Sequence, residues 1–128
     1  MPKQTIQTKD APAAIGPYSQ ALRAGTTVYL SGQIPLDPAT GHMVEGDARA
    51  QAERVFANLA AVCAAAGGSL DDVVRVGIYV TDLGDFAVVN EVMAGHFGEH
   101  RPARSTIEVS ALPRGAHVEV DAIMVLAD

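Results

Sequence analysis

The alternation of apolar and polar positions is clearest towards the C-terminal end of the chain. Between 117 and 126, Val118, Val120, Ala122, Met124 and Leu126 share one parity, while Glu119, Asp121, Ile123 and Val125 share the other; this period of two predicts a strand. It is apolar on both faces except at Glu119 and Asp121. A second extended segment, 104 to 109, precedes it across a loop holding Pro113 and Gly115. Val73 to Val80 is a β-branched run with Tyr79 and predicts a buried strand. Val28-Tyr29-Leu30-Ser31, bounded by Gly25 and Gly32, predicts another, and 21 to 24 suits a hairpin partner for it. Residues 4 to 8 fit a short strand, whereas 11 to 17, with two prolines, and 35 to 41 read as loop.

Twice the period lengthens to that of a helix. From Asp47 to Ala66, Phe56, Leu59, Cys63 and Ala66 recur at helical spacing, with Asp47 as N-cap and Gly67-Gly68 as the stop. Asp82 or Asp85 caps a second helix in which Phe86, Val89, Met93 and Phe97 line one side. The order strand, helix, strand, helix, strand allows parallel crossovers of the usual right hand, which set both helices on one face of a sheet. The other face is then bare. Because strands 73 to 80 and 118 to 126 carry apolar residues on both faces, that face is expected to be covered by another subunit, making an oligomer.

Composition narrows the picture. The 128 residues make one domain, spanning 1-128, and with 48% apolar but only 5% aromatic residues its core must be aliphatic. A net charge of -6 counts against a sequence-independent phosphate binder, so nucleic acid is not an expected partner. The leading MPKQTIQTKD lacks the apolar segment of a signal peptide, and no apolar run reaches spanning length; the expectation is a cytoplasmic protein without membrane attachment. The single Cys63 excludes an internal disulfide and fits a small buried side chain better than a nucleophile.

Two charged residues in otherwise apolar surroundings need a reason. Arg104 offers a permanently charged planar fork, suited to a carboxylate anchor or to a structural ion pair with Asp or Glu. Glu119 is suited to orienting water and moving protons, or to a solvent-facing sheet edge. Direct pairing of their two segments across the loop would leave Glu119 about four residue steps, or roughly 13 Å, from the partner of Arg104. Tyr18, on its proline-flanked loop, either closes a cleft or packs the loop down. Gly32 either permits close backbone approach or serves a turn. Asn90, interrupting an apolar helical face, either meets the cleft or bonds a loop. His96 and His100, four apart, lack a third metal ligand, and no metal is expected; His42 and His117 read as surface residues.

Four ordered segments carry a resemblance. Ile15-Gly16-Pro17-Tyr18-Ser19-Gln20-Ala21, Ser31-Gly32-Gln33-Ile34-Pro35, Phe86-Ala87-Val88-Val89-Asn90, and the run Pro102-Ala103-Arg104-Ser105-Thr106 with Ala111-Leu112-Pro113 and Val118-Glu119-Val120-Asp121-Ala122 resemble the RidA (YjgF) family over nearly the whole chain. The resemblance implies an α+β, chorismate-mutase-like fold: one mixed β-sheet with two helices on one face, assembled as a homotrimer with clefts between neighbouring subunits. It further implies a cofactor-free hydrolase that converts 2-imino and enamine acids such as 2-iminopropanoate and 2-iminobutanoate to 2-keto acids and ammonia. Arg104 would anchor the carboxylate and Glu119 position water, with Tyr18, Ser31, Gly32, Asn90 and Thr106 completing the substrate site. The resemblance alone brings Arg104 and Glu119 together. Several family members carry cysteine where this chain has Thr106, so a thiol role is absent and a backbone-amide contact survives. The loop Gly98-Glu99-His100-Arg101 is shorter than in many relatives and carries Arg101 where they often have an aromatic residue, which bears on substrate size. Two other readings are a small-carboxylate-binding trimer acting as a sensor, and RNA cleavage or translation inhibition, attributed to relatives.

Overall fold

A computed structural model describes residues 2–127 of the chain. Three strands open it: β1 (Lys3–Ile6), β2 (Ala21–Ala24) and β3 (Thr27–Gln33). Helix α1 (Ala48–Ala65), strand β4 (Val73–Val80), helix α2 (Phe86–Phe97), strand β5 (Ala103–Glu108) and strand β6 (Val118–Val125) follow. The expected 21 to 24 hairpin is present, with Ala21 opposite Leu30 and Ala24 opposite Thr27. Asp47 caps α1 by accepting from the Ala50 amide at 3.0 Å. Of the two candidate caps for α2, Asp82 accepts from Gly84 N–H at 2.8 Å in the short 3₁₀ turn ahead of the helix, while Asp85 makes no capping bond.

All six strands form one mixed sheet in the order β1-β2-β3-β6-β4-β5. The last strand is inserted in the middle, antiparallel to both β3 and β4, and β4 pairs with β5 in parallel. The segments carrying Arg104 and Glu119 therefore do not pair with each other. The reason is local: the α2 crossover delivers β5 to the outer side of β4, and the 109–117 connection carries the chain back across β4 to the one position where β6 finds partners on both edges. A central strand satisfies both rows of its backbone groups, consistent with the apolar character of β6.

Both helices pack on one face. The even-numbered β6 residues Val118, Val120, Ala122 and Met124, with Val76, Ile78 and Val80 from β4 and Val28 and Leu30 from β3, meet Val55, Phe56, Leu59 and Val62 of α1 and Val89, Val92 and Phe97 of α2 in one core. Each such side chain removed from water contributes about 1.5–3 kcal/mol, so alternation in β6 fixes which face carries Glu119. The opposite face is open. Contrary to the expectation from β4 and β6, it is mixed rather than apolar: Tyr29, Ile107, Ile123 and Val125 stand beside Arg75, Tyr79, Ser105, Glu119 and Asp121. A register shift between Val73 and Arg75 exposes both Val74 and Arg75, which breaks the parity assumed from sequence.

Candidate functional site

Arg104 lies on the helix face of β5, opposite Val76. Its Nη1 donates to Asn90 Oδ1 and sits 3.7 Å from Met93 Sδ, and its guanidinium rests 5.3 Å from the centre of the Phe86 ring. No Asp or Glu pairs with it among the described residues. Within the chain a neutral amide, a thioether and a ring orient the fork without neutralising it. A cavity of about 390 Å³ opens beside it, lined by Asn90, Met93, Phe97, His100, Pro102 and Arg104.

Thr106, two residues on, shares that face opposite Ile78, and its buried Oγ1 has no partner among the described residues. The Val109 amide donates to Val80 O at 2.8 Å, so in this parallel ladder odd residues face β4 and the Thr106 N–H points to the free sheet edge. Its amide is therefore available to a ligand or a neighbouring copy.

Glu119 occupies the other face. Its carboxylate lies over Gly32, so close that a Cβ on Gly32 would collide with Oε2. The approach is possible because β3 carries an extra residue between Leu30, opposite Ala122, and Gln33, opposite Val120; this bulge lifts Ser31 and Gly32 out of the ladder. Burial, then the neighbouring Asp121, push the Glu119 carboxyl above its ordinary value. Asp121 repeats the arrangement over Gly77 and accepts from Tyr79 Oη at 3.1 Å.

Tyr18 belongs to this second group. Its ring lies over Gly16, its hydroxyl accepts from Ile15 N–H at 3.4 Å, and it lines a cavity of about 260 Å³ with Pro12, Ile15, Gly32 and Arg114. Both donors of Ser31 are used within the chain, N–H to Gln20 O at 3.0 Å and Oγ–H to Ser19 O at 2.5 Å. The predicted residues thus form two groups, Arg104 with Asn90 and Thr106, and Glu119 with Tyr18, Ser31 and Gly32. One chain does not bring the groups together.

Residues 8–126 match the family model described as Endoribonuclease L-PSP. Protein DfrA of Myxococcus xanthus is 59% identical over 127 residues, covering 98% of this chain and 97% of the relative. A 2-iminobutanoate/2-iminopropanoate deaminase of Dermatophagoides farinae is 46% identical over 125 residues, covering 98% of each. A crystal structure of RidA from an Antarctic Psychrobacter bacterium superposes with a TM-score of 0.93 at 54% identity, covering 96% of this chain and 99% of that one. The chain belongs to the YjgF/RidA family.

Within this RidA-family chain, sequence reading passed over Phe86, Met93, Gln20 and Tyr79. Helical spacing sets Phe86 on one side of α2 with Val89, Met93 and Phe97; unlike Val89 and Phe97 it stands partly exposed, beneath Arg104. As the first residue of α2, next to the edge strand, it has no further layer to cover it, and its spacing from Asn90 (i, i+4) was the available signal. Asn90 meets the guanidinium itself. His96 bonds Glu53 at 3.0 Å, while His100 Nε2 reaches Val73 O at 2.6 Å, so the two rings serve separate contacts. No three of His, Cys, Asp and Glu form a metal-holding group among the described residues, and no helix is long and apolar enough to cross a membrane. Cys63 is fully buried, and burial, with Asp72 nearby, pushes its thiol up to about 12.

Proposed function

We propose that the chain hydrolyses 2-imino and enamine acids, such as 2-iminopropanoate and 2-iminobutanoate, to 2-keto acids and ammonia, at sites shared between copies in a cytoplasmic homotrimer of chorismate-mutase-like fold. The deaminase named among its relatives, at 46% identity, supports the reaction class. The observation that carries the shared site is the separation of Arg104 from Glu119: each is half of a hydrolytic centre, and the halves leave one sheet in opposite directions. A copy that docks its Glu119 face against the β5 edge of a neighbour supplies both halves, and it covers the exposed Tyr29, Ile107 and Val125.

In this reading Arg104 holds the substrate carboxylate through the donors that Asn90 leaves free, and the Gly32 and Thr106 amides add hydrogen bonds. Asn90 orients the guanidinium rather than the substrate. Glu119 accepts a proton from water as its oxygen bonds to the electrophilic C=N carbon. The π pair of the protonated imine moves onto nitrogen as the C–O bond forms, giving a neutral carbinolamine. Glu119 then returns its proton to that nitrogen, and the C–N bond breaks with its electron pair leaving on ammonia. The hydroxyl passes its proton back to Glu119 as the keto C=O forms. Tyr18 closes the cleft over the substrate. The raised carboxyl of Glu119 suits this exchange, because a stronger base takes the proton more readily. Water adds to an imine unaided, so a modest lowering of the barrier suffices.

The test is loss of 2-iminobutanoate generated in solution, compared with buffer. Acceleration that disappears in Arg104→Ala and Glu119→Gln is the expected result. A wild-type rate equal to buffer, with 2-ketobutanoate still bound, replaces the enzyme by a small-carboxylate sensor. RNA cleavage that persists in Arg104→Ala after repurification would favour the activity in the family model's description.

A further inference from the structure

Tyr18 sits in the stretch without regular structure between β1 and β2, residues 7–20, and one side chain organises it. Gln20 is only 3% exposed. Its Oε1 accepts from Thr8 N–H at 2.7 Å, and its Nε2 is turned to three carbonyl oxygens, of Pro12 at 2.8 Å, Thr8 at 3.0 Å and Ala11 at 3.3 Å. Of these acceptors the Ala11 carbonyl is in a fully buried bond, where no water replaces the amide. The backbone of Gln20 faces the other way: its carbonyl accepts from Ser31 N–H at 3.0 Å, alongside the Ser31 Oγ–H bond to Ser19 O. One residue, two positions along the chain from Tyr18, therefore fastens the 8–12 loop to the Ser31–Gly32 bulge beneath Glu119. Cavities of about 740 and 260 Å³ lie along this segment, and Tyr18 and Gln20 line both, so little packing besides these bonds fixes where the loop sits.

We infer that Gln20 is a positioning residue: its buried amide clamps the 8–12 loop so that Tyr18 is held at the Gly32–Glu119 side of the cleft. The inference rests on the function proposed above for its kinetic consequence, but the clamp itself is a property of the free protein. Replacing the amide by a carboxylate of the same shape turns a donor into an acceptor facing three carbonyl oxygens, which must separate. Replacing it by methionine keeps length and burial and removes the hydrogen bonds. The loop sends only the small Ala11 into the core, so either change frees it while the sheet remains folded.

Gln20→Glu and Gln20→Met proteins are to be compared with the parent by amide hydrogen exchange and by a kinetic cycle with Tyr18→Ala. Exchange at residues 13–19 is expected to rise by about tenfold or more with β4 and β6 unchanged, as local opening without global unfolding requires. In the kinetic arm, KM rises and kcat/KM falls by about ten- to a hundredfold in the Tyr18 background, and by less than about twofold once Tyr18 is already alanine. A merely structural glutamine would lower the unfolding midpoint and cut kcat/KM equally in both backgrounds, and that result overturns the inference. If the parent does not accelerate imine hydrolysis, the proposed function fails by itself, and exchange alone decides the clamp. Unchanged exchange at residues 13–19 in both variants refutes it.

Discussion

From Arg104 the register runs across the sheet to Val76 and then to Ala122, three residues from Glu119, and the two side chains leave on opposite faces. Two strand spacings and three residue steps put their Cα atoms about 14 Å apart. No rotamer closes that distance through a sheet. The groups can act on one small molecule only if they come from different chains.

The anchor role proposed for Arg104 depends on the shape of the guanidinium as well as its charge. Arg104→Lys keeps the charge and loses the paired donors, so kcat/KM for 2-iminobutanoate is expected to fall by about 30- to 150-fold, from a loss of about 2–3 kcal/mol. Asn90→Ala leaves the arginine in place but unoriented, and it should raise KM more than it lowers kcat. Steady-state kinetics, with thermal melting to verify folding, checks both.

Gly32 holds its place because Glu119 occupies the space a side chain would take. In Gly32→Ala the new Cβ collides with Oε2 of Glu119, and the yielding partner is the flexible end of a side chain rather than backbone. The fold is expected to survive with the carboxylate displaced. Activity should fall by about a hundredfold while the circular dichroism spectrum is retained.

The pH dependence follows from the upward shift of Glu119. The basic form is lost as pH falls through a raised value, so the acid limb of kcat/KM should lie above the ordinary carboxylate range and be absent from the residual activity of Glu119→Gln. Stability runs in the opposite sense. The folded chain binds this proton more tightly than the unfolded chain, so the group costs stability as pH rises through its folded value. Glu119→Gln is therefore expected to melt no lower than the parent at neutral pH, with the difference closing as pH approaches the ordinary carboxylate range. A melting series against pH measures it.

Alternation and helical spacing were enough to locate α1, β4, α2 and β6, because each buries a continuous apolar face and nothing competes with that signal. Strand order was not legible. Whether β6 pairs with β5 or slips between β3 and β4 depends on which edges remain free after two crossovers, and no local pattern encodes that choice. The same gap hid the division of the site. Period two gives the face of Glu119 within β6 and that of Arg104 within β5, but the relation between those faces appears only once β4 is interposed. The contact of Phe86 with Arg104 was not legible, because helical spacing cannot tell a core neighbour from one stacked under an arginine at the sheet edge.

Cys63 tests the packing of α1 against the sheet. With its thiol pushed up to about 12 and no exposure to solvent, it is expected to resist alkylation in the native protein and to react fully once denatured. Labelling at low denaturant would indicate that α1 opens locally.

Mixing two inactive proteins measures the central claim directly. Arg104→Ala and Glu119→Gln chains, unfolded together in equal amounts and reassembled, place an intact arginine opposite an intact glutamate at about a quarter of the sites if neighbouring copies contribute one each. Recovery near a quarter of the parent kcat, with neither variant active when reassembled alone, is the expected result. No recovery in a mixture shown to contain mixed oligomers would mean that both groups act from the same chain, and the shared site would be wrong.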